Sequence, residues 1–145
     1  MPANLVENQQ ILTKRILAID DEEANVLLLK NVLEREGYTD IHCITDPEKA
    51  LDAYITLSPD LVLLDLMMPK IDGFQLLEAF SRHDKSDEFR PVLVLTADTT
   101  LQTRRRALAL GAKDFVSKPF DVIEVALRIS NLLETRILYE RLKHV

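Results

Sequence analysis

The stretch DLVLLDLMMPKIDGF, residues 60–74, decides the fold of this chain. Its segment 61–64 is apolar at every position, which is typical of a strand covered by helices on both faces. Asp65 ends this segment, and the turn pair Asp72-Gly73 leads into a stretch with apolar residues at helical spacing. The pattern therefore predicts a buried strand, a loop and a helix in succession.

The same pattern of strand and helix repeats on both sides of this stretch. Further strands are predicted at 16–19, 41–44, 92–95 and 114–117, and further helices at 22–36, 45–57, 99–110 and from 121 towards the C-terminus. In the first long helix the spacing of apolar residues predicts a buried face made of Ala24, Leu27, Leu28 and Val32. Five β–α units in succession indicate parallel strands joined by right-handed crossovers. We predict an α/β fold, a doubly wound sandwich around a five-stranded parallel sheet.

Composition excludes several classes of protein. The chain has 145 residues, 47% of them hydrophobic and 29% charged, which is enough for a buried core without a metal or disulfide. Its net charge of −6 disfavours nucleic acid and acidic membrane surfaces as partners of this chain. No apolar run is long enough for a membrane span, and the N-terminus lacks a signal-peptide pattern. The single cysteine, Cys43, suits a reducing compartment, so we expect a cytoplasmic protein.

Polar residues stand where the predicted strands end. Asp20 and Asp21 follow the first strand, Asp65 the third, Thr96 the fourth and Lys118 the fifth. In an open parallel sheet these ends share one edge, where ligands bind. Three carboxylates in one small space repel each other unless a cation intervenes, and an all-oxygen set suits Mg²⁺ better than Zn²⁺. The pattern predicts phosphoryl transfer onto Asp65, with Mg²⁺ and Lys118 neutralising the phosphoryl oxygens.

Each of these residues also has a structural interpretation when it is taken alone. Asp21 can cap the first long helix, Asp65 can be a turn residue, and Thr96 can simply end a strand. Lys118, which precedes Pro119, can be a solvated loop charge. Their joint occurrence at the ends of the appropriate strands favours a site.

Four ordered motifs make the chain resemble the receiver domain of two-component response regulators, over about residues 15–133. They are ILAIDDEEAN at 16–25, DLVLLDLMMPKIDGF at 60–74, PVLVLTAD at 91–98 and GAKDFVSKPF at 111–120. The resemblance implies a flavodoxin-like sandwich with the strand order 2-1-3-4-5. It leaves 1–14 as an N-terminal extension and 134–145 as a C-terminal helical extension, a possible linker to an output domain.

The resemblance also implies roles in phosphoryl transfer. Asp65 would accept the phosphoryl group from a phosphohistidine of a sensor histidine kinase or a phosphotransfer protein, and Thr96 and Lys118 would contact that group. Phe115 would be the switch aromatic that turns inward when Thr96 moves, although it can also be an ordinary core-edge side chain. The bond between Lys118 and Pro119 would be a cis peptide.

For the metal, the resemblance implies Mg²⁺ bound directly by Asp21, mainly through water by Asp20, and further by Asp65 and the backbone carbonyl of Met67. The signal would pass through a conformational change of the face formed by the helix at 99–110, the following strand and the last helix. Receivers commonly dimerise through this face. The chain would catalyse only its own phosphorylation and dephosphorylation and would not be an enzyme for external substrates.

Two features lie outside the shared pattern. The cluster Arg104-Arg105-Arg106 is either solvated charge or a set of ion-pairing residues across a dimer, and adjacent helical residues cannot form one flat patch. The extension at 134–145 carries a stripe of apolar residues, Leu138, Leu142 and Val145. This stripe indicates either a signalling helix or a dimerising segment.

Two rival functions are also open. A Mg²⁺-dependent phosphohydrolase could use an aspartyl-phosphate, but such enzymes with a similar sheet carry a second acid two residues after the nucleophile, where this chain has Met67. A receiver that has lost phosphorylation is the second rival, which the complete set of site residues disfavours. Nucleotide binding is disfavoured still more strongly, because no glycine-rich phosphate loop occurs in a chain with three glycines.

Overall fold

Five parallel strands form the centre of the computed structural model, which describes residues 6–143. The strands β1 to β5 are Arg15–Ile19, Asp40–Ile44, Leu61–Leu64, Val92–Thr96 and Asp114–Ser117. The helices α1 to α6 are Asn8–Leu12, Glu23–Glu36, Ala50–Leu57, Gly73–His83, Leu101–Ala109 and Val122–Lys143. The strand order β2-β1-β3-β4-β5 confirms the predicted doubly wound sheet.

The unbroken apolar runs of the central strands are buried because helices cover both faces of the sheet. Every residue of β3 and β4 is buried, as the lack of alternation predicts, whereas all five residues of the edge strand β2 are half-buried. The core is divided by the sheet into two apolar clusters. One contains Leu33 and Ile129 on the side of α2 and α6, and the other contains Tyr54 and Phe80 on the side of α3 to α5.

The buried face of α2 differs from the predicted one. The residues that it buries are Val26, Leu29, Val32 and Leu33. Leu27 and Leu28 are 50% and 46% exposed, and Ala24 is exposed as well, so only Val32 of the predicted face is correct. Apolar residues occupy two adjacent stripes of this helix, one that contains Leu28 and one that contains Leu29. The contacts of α2 with β1, β2 and α6 bury the stripe that contains Leu29.

Side-chain caps explain where two helices begin. Asp46 accepts a hydrogen bond from the backbone N–H of Glu48 at 3.0 Å, so the segment before α3 starts as a 3₁₀ turn at Pro47–Lys49. Thr100 accepts a hydrogen bond from the N–H of Thr103 at 3.2 Å, and α5 therefore begins two residues later than predicted.

The last part of α6 packs against the body of the domain. Ile137 is 6% exposed, and Arg136 donates hydrogen bonds to Asp60 at 2.8 Å and to the carbonyl of Phe89 at 2.6 Å. Leu138 packs against the core whereas Leu142 is 72% exposed, and Val145 of the predicted stripe lies outside the described residues. Within residues 6–143, no helix is both long and apolar enough to span a bilayer.

Candidate functional site

The carboxyl ends of β1 and β3 bring three predicted carboxylates together. One oxygen each from Asp20, Asp21 and Asp65 lies within 4.8 Å of the others. Asp20 and Asp65 are buried, with 2% and 8% of their surface exposed, and Asp21 is half-exposed. The convergence expected from a parallel sheet is therefore present, and it places negative charge in a partly dehydrated space.

Asp20 makes the local turn that leads into α2. Its Oδ1 accepts a hydrogen bond from the backbone N–H of Glu22 at 3.0 Å. The N-cap of α2 is Glu22, which makes no side-chain capping bond. The alternative that Asp21 caps this helix is therefore wrong, and the carboxylate of Asp21 is left directed to the acidic cluster.

Lys118 bridges two of the three carboxylates from the end of β5. Its Nζ donates hydrogen bonds to Oδ2 of Asp20 at 2.7 Å and to Oδ2 of Asp65 at 3.2 Å, and its side chain is 16% exposed. The peptide bond to Pro119 is cis, as predicted. Lys118 is thus part of the acidic site and is not a solvated loop charge.

Burial and neighbouring charges shift the pKa values of Asp65 and Lys118. Burial raises the pKa of Asp65 above its ordinary value, and the hydrogen bond from the N–H of Met67 at 3.0 Å and the charge of Lys118 only partly oppose this. Burial alone would lower the pKa of Lys118, but hydrogen bonds and charge interactions with Asp20 and Asp65 outweigh it and raise that pKa. Lys118 therefore stays charged at neutral pH and compensates one buried negative charge.

The donor set fits a hard divalent cation. Asp20, Asp21 and Asp65 offer only carboxylate oxygens, and the single ammonium of Lys118 cannot neutralise three of them. Among residues 6–143 this is the only such cluster of metal-ligating side chains. The backbone carbonyl of Met67 as a further ligand stays a prediction.

Thr96 lies at the end of β4 and is fully buried. Its Oγ1 accepts a hydrogen bond from the N–H of Asp98 at 3.4 Å. The carboxylate of Asp98 in turn accepts hydrogen bonds from the N–H of Thr100 at 3.0 Å and the hydroxyl of Thr103 at 2.7 Å. The sequence patterns did not predict that Asp98 links Thr96 to the first turn of α5. An aspartate two residues before a helix-capping threonine is the local signal for this arrangement.

Comparison with known proteins identifies the family of this site. The family model of the response regulator receiver domain matches residues 16–130, most of the chain. This chain belongs to the response regulator receiver family. The family that the four sequence motifs predicted is therefore confirmed.

Relatives of this receiver are longer proteins. The chain is 41% identical over 122 residues to the alkaline phosphatase synthesis transcriptional regulatory protein PhoP of Bacillus subtilis, over 84% of this chain and 49% of PhoP. It is 40% identical over 119 residues to the DNA-binding dual master transcriptional regulator RpaA of Synechocystis sp., over 82% of this chain and 48% of RpaA. The chain thus spans about half the length of these curated relatives.

A solved receiver has the same fold as this one. The structure of the Francisella response regulator 1452 receiver domain matches with a TM-score of 0.75 at 28% identity. The match covers 86% of this chain and 99% of that chain. The sandwich described above is therefore the receiver fold over nearly the whole length of an isolated receiver domain.

In this receiver the side chain of Phe115 is already buried, with 6% of its surface exposed. The guanidinium carbon of Arg104 lies 5.1 Å from the centre of its ring. Arg106 instead stacks on Phe74, 4.0 Å from that ring centre. Neighbouring arginines of α5 therefore reach different aromatic rings, which confirms that the basic cluster forms no flat patch. Arg105 is exposed.

An open groove of about 320 Å³ lies beside the receiver site. It is lined mainly by apolar residues, with one amide and the site lysine, namely Asn25, Leu28, Ala97, Lys118, Pro119 and Phe120. Ala97, which follows Thr96 in the chain, adds only a small side chain to this groove. The exposure of Leu28, which helix patterning did not predict, gives this groove one apolar wall.

Proposed function

We propose that this receiver is a phosphorylation-dependent signalling switch whose phosphoryl acceptor is Asp65. The observation that carries the proposal is the contact of one ammonium, that of Lys118, with both Asp65 and Asp20 at the carboxyl edge of the sheet. A carboxylate nucleophile beside a fixed cation suits the formation of an acyl phosphate. The donor is a phosphohistidine of a sensor histidine kinase or a phosphotransfer protein.

In phosphoryl uptake, an oxygen of Asp65 attacks phosphorus and the phosphorus–nitrogen bond of the donor breaks. The imidazole nitrogen keeps the electron pair of that bond and can take up a proton from solvent. The hydroxyl of Thr96 and the ammonium of Lys118 donate hydrogen bonds to the phosphoryl oxygens, whose charge is spread during transfer. In dephosphorylation, water attacks phosphorus, the phosphorus–oxygen bond to Asp65 breaks, and inorganic phosphate leaves.

These two steps involve only the acyl phosphate of the chain itself, so the proposal does not include turnover of external substrates. A phosphohydrolase would carry an acid two residues after Asp65, where this chain has Met67 with a 58% exposed side chain. The rival function as a hydrolase therefore lacks its general acid at that position.

We assign Mg²⁺ as the cofactor. Asp21 would hold the ion directly and Asp20 mainly through water, together with Asp65 and the backbone carbonyl of Met67. The close carboxylate oxygens of the acidic cluster support this assignment. When bound, the ion supplies positive charge that offsets the charge of the phosphoryl oxygens.

The proposed output of the switch is a conformational change of the face formed by α5, β5 and α6, which can also hold a homodimer. PhoP and RpaA are named as transcriptional regulators and are about twice as long as this chain, so an output domain in the whole protein is part of the proposal. Direct binding of nucleic acid by this chain is not part of the proposal, because its net charge is −6. A cytoplasmic location fits the single thiol of Cys43.

Intact-protein mass spectrometry after incubation with acetyl phosphate tests the proposal. We expect one added phosphoryl group that requires Mg²⁺ and is absent from Asp65→Asn, while Asp52→Asn, which changes an exposed carboxylate on α3, still takes up the group. Uptake by Asp65→Asn would place the acceptor elsewhere. If the wild type gives neither an adduct nor released phosphate, the domain acts only as a docking surface.

A further inference from the structure

Phe115 lies on the same face of the sheet as Thr96, beneath α5. In the β4–β5 ladder, Phe115 is paired with Val94, and Thr96 is paired with Ser117. Since alternate residues of a strand share a face, the side chains of Val94, Phe115 and Thr96 are on one side. Phe115 and Ala107 of α5 belong to the same buried apolar cluster.

Arg104 covers this ring from α5. Its guanidinium carbon is 5.1 Å from the ring centre, within the range of a cation–π contact. In the part of the chain that the structure describes, Arg104 makes no ion pair with a carboxylate. Its position is therefore set by the aromatic ring, in a protein that otherwise offers many acidic partners.

A continuous path of hydrogen bonds connects Thr96 to the turn of α5 that carries Arg104. The N–H of Asp98 donates to Thr96, and the carboxylate of Asp98 accepts from both Thr100 and Thr103. The N–H of Arg104 donates to the carbonyl of Thr100 at 3.1 Å. Because the oxygen of Thr96 accepts in this path, its own O–H remains available to donate to an anion.

Lys118 directly follows β5, the strand that holds Phe115, and stands three residues after that ring. The segment that orients Thr96 is therefore held, through the contact of Arg104 with Phe115, against the strand that precedes Lys118. We propose that Arg104 is a positioning residue for the phosphoryl site, acting through the ring of Phe115. It limits the movement of the hydroxyl of Thr96 relative to the ammonium of Lys118. This inference rests on the proposed function of Asp65.

The test is the affinity of the Mg²⁺-loaded receiver for beryllofluoride, a mimic of the phosphoryl group, measured by isothermal titration calorimetry. Arg104→Gln is expected to weaken binding by roughly two- to fivefold, the size of an exposed cation–π contact. Arg35→Gln, which removes an exposed arginine on α2, should leave the affinity unchanged. Arg104→Lys keeps a cation over the ring and should lose less than Arg104→Gln.

A double-mutant cycle separates an effect through the ring from a general effect of charge. If Arg104 acts through Phe115, Arg104→Gln has no further effect on the affinity in a Phe115→Leu background. The same loss in that background, or equal affinities for Arg104→Gln and Arg35→Gln, would overturn this inference alone. Failure of the wild type to bind beryllofluoride would instead overturn the proposed function and this inference with it.

Discussion

The ammonium of Lys118 lies 2.7 Å from Oδ2 of Asp20, a carboxylate 98 positions earlier in the chain. The same ammonium lies 3.2 Å from Oδ2 of Asp65, so one cation holds two buried carboxylates side by side. Their repulsion would otherwise be strong in a space that excludes much of the solvent. Lys118 therefore has two effects on the site, since it compensates charge and also occupies oxygens that a metal would use.

Replacement of Lys118 by alanine should change the affinities for Mg²⁺ and for a phosphoryl mimic in opposite directions. With the ammonium removed from Asp20 and Asp65, Mg²⁺ should bind about tenfold more tightly, which corresponds to about 1.4 kcal/mol. Beryllofluoride should bind less tightly, because a donor to its fluorines is lost. Calorimetric titrations measure both, with Lys70→Ala, an exposed lysine in the loop after β3, as the control. Unchanged Mg²⁺ affinity would show that Lys118 does not compete for the carboxylates.

Alanine at Gly73 should destabilise the domain because the clash would be with backbone atoms. A Cβ at this position would lie 2.5 Å from Cα of Leu66 and 2.9 Å from its carbonyl oxygen. No change of rotamer relieves such contacts, so we expect Gly73→Ala to lower the free energy of unfolding by about 3 kcal/mol in urea denaturation. Gln75→Ala, an exposed change on the same helix, should stay within about 0.5 kcal/mol of the wild type. Equal stability of the two variants would contradict the close approach.

The C-terminal part of α6 should contribute to the stability of the domain. Ile137 is 6% exposed and belongs to the core cluster, so Ile137→Ala should lower the free energy of unfolding by roughly 2–4 kcal/mol. Leu142, five residues later on the same helix, is 72% exposed, and Leu142→Ala should have little effect. Denaturant unfolding of both variants checks this. A small effect at Ile137 would mean that this part of α6 separates from the body in solution.

The ion pair between β1 and β2 should make the stability of the domain dependent on pH in the acidic range. Burial alone would raise the pKa of Asp40, but hydrogen bonds from Arg15 at 3.0 Å and His42 at 2.6 Å, with their charges, outweigh it and lower that pKa. A carboxyl whose pKa is lower in the folded state stabilises that state above its unfolded pKa of about 3.9, and the contribution is lost as the pH falls further.

Asp40→Asn is therefore expected to lower the free energy of unfolding at pH 7 by less than about 1 kcal/mol, because the pair is partly exposed. The difference between wild type and variant should shrink as the pH falls below about 3.9. Urea denaturation at a series of pH values measures it. A difference that stays constant down to the lowest pH would rule out the ion pair as its cause.

Phosphorylation should tighten self-association through the face of α5, β5 and α6. Arg104 and Arg106 contact the aromatic rings of their own chain, so Arg105 is the member of the cluster left to pair across a dimer. Analytical ultracentrifugation with and without beryllofluoride should show a dimer that Arg105→Glu weakens. Arg35→Glu, on the exposed surface of α2, is the matched control. An unchanged sedimentation coefficient on addition of beryllofluoride would exclude this dimer.

The amino-acid sequence alone determined the sheet and the composition of the site. The apolar run at 61–64 becomes β3 with the predicted bounds, because a strand buried on both faces leaves a local signal that needs no partner to be recognised. Asp20, Asp65 and Lys118 meet because each follows a parallel strand, and parallel strands bring their carboxyl ends to one edge. Topology thus converts local positions into a common site.

The tertiary structure decided which of several equivalent side chains is used. Leu28 and Leu29 are both apolar and adjacent, but the docking of α2 on the sheet buries Leu29 and leaves Leu28 on the surface. Arg104 is distinguished from Arg105 only by the ring of Phe115, which belongs to another element. Such choices depend on the angle and distance at which elements pack, and these are set by contacts between residues far apart in the chain, which no local pattern records.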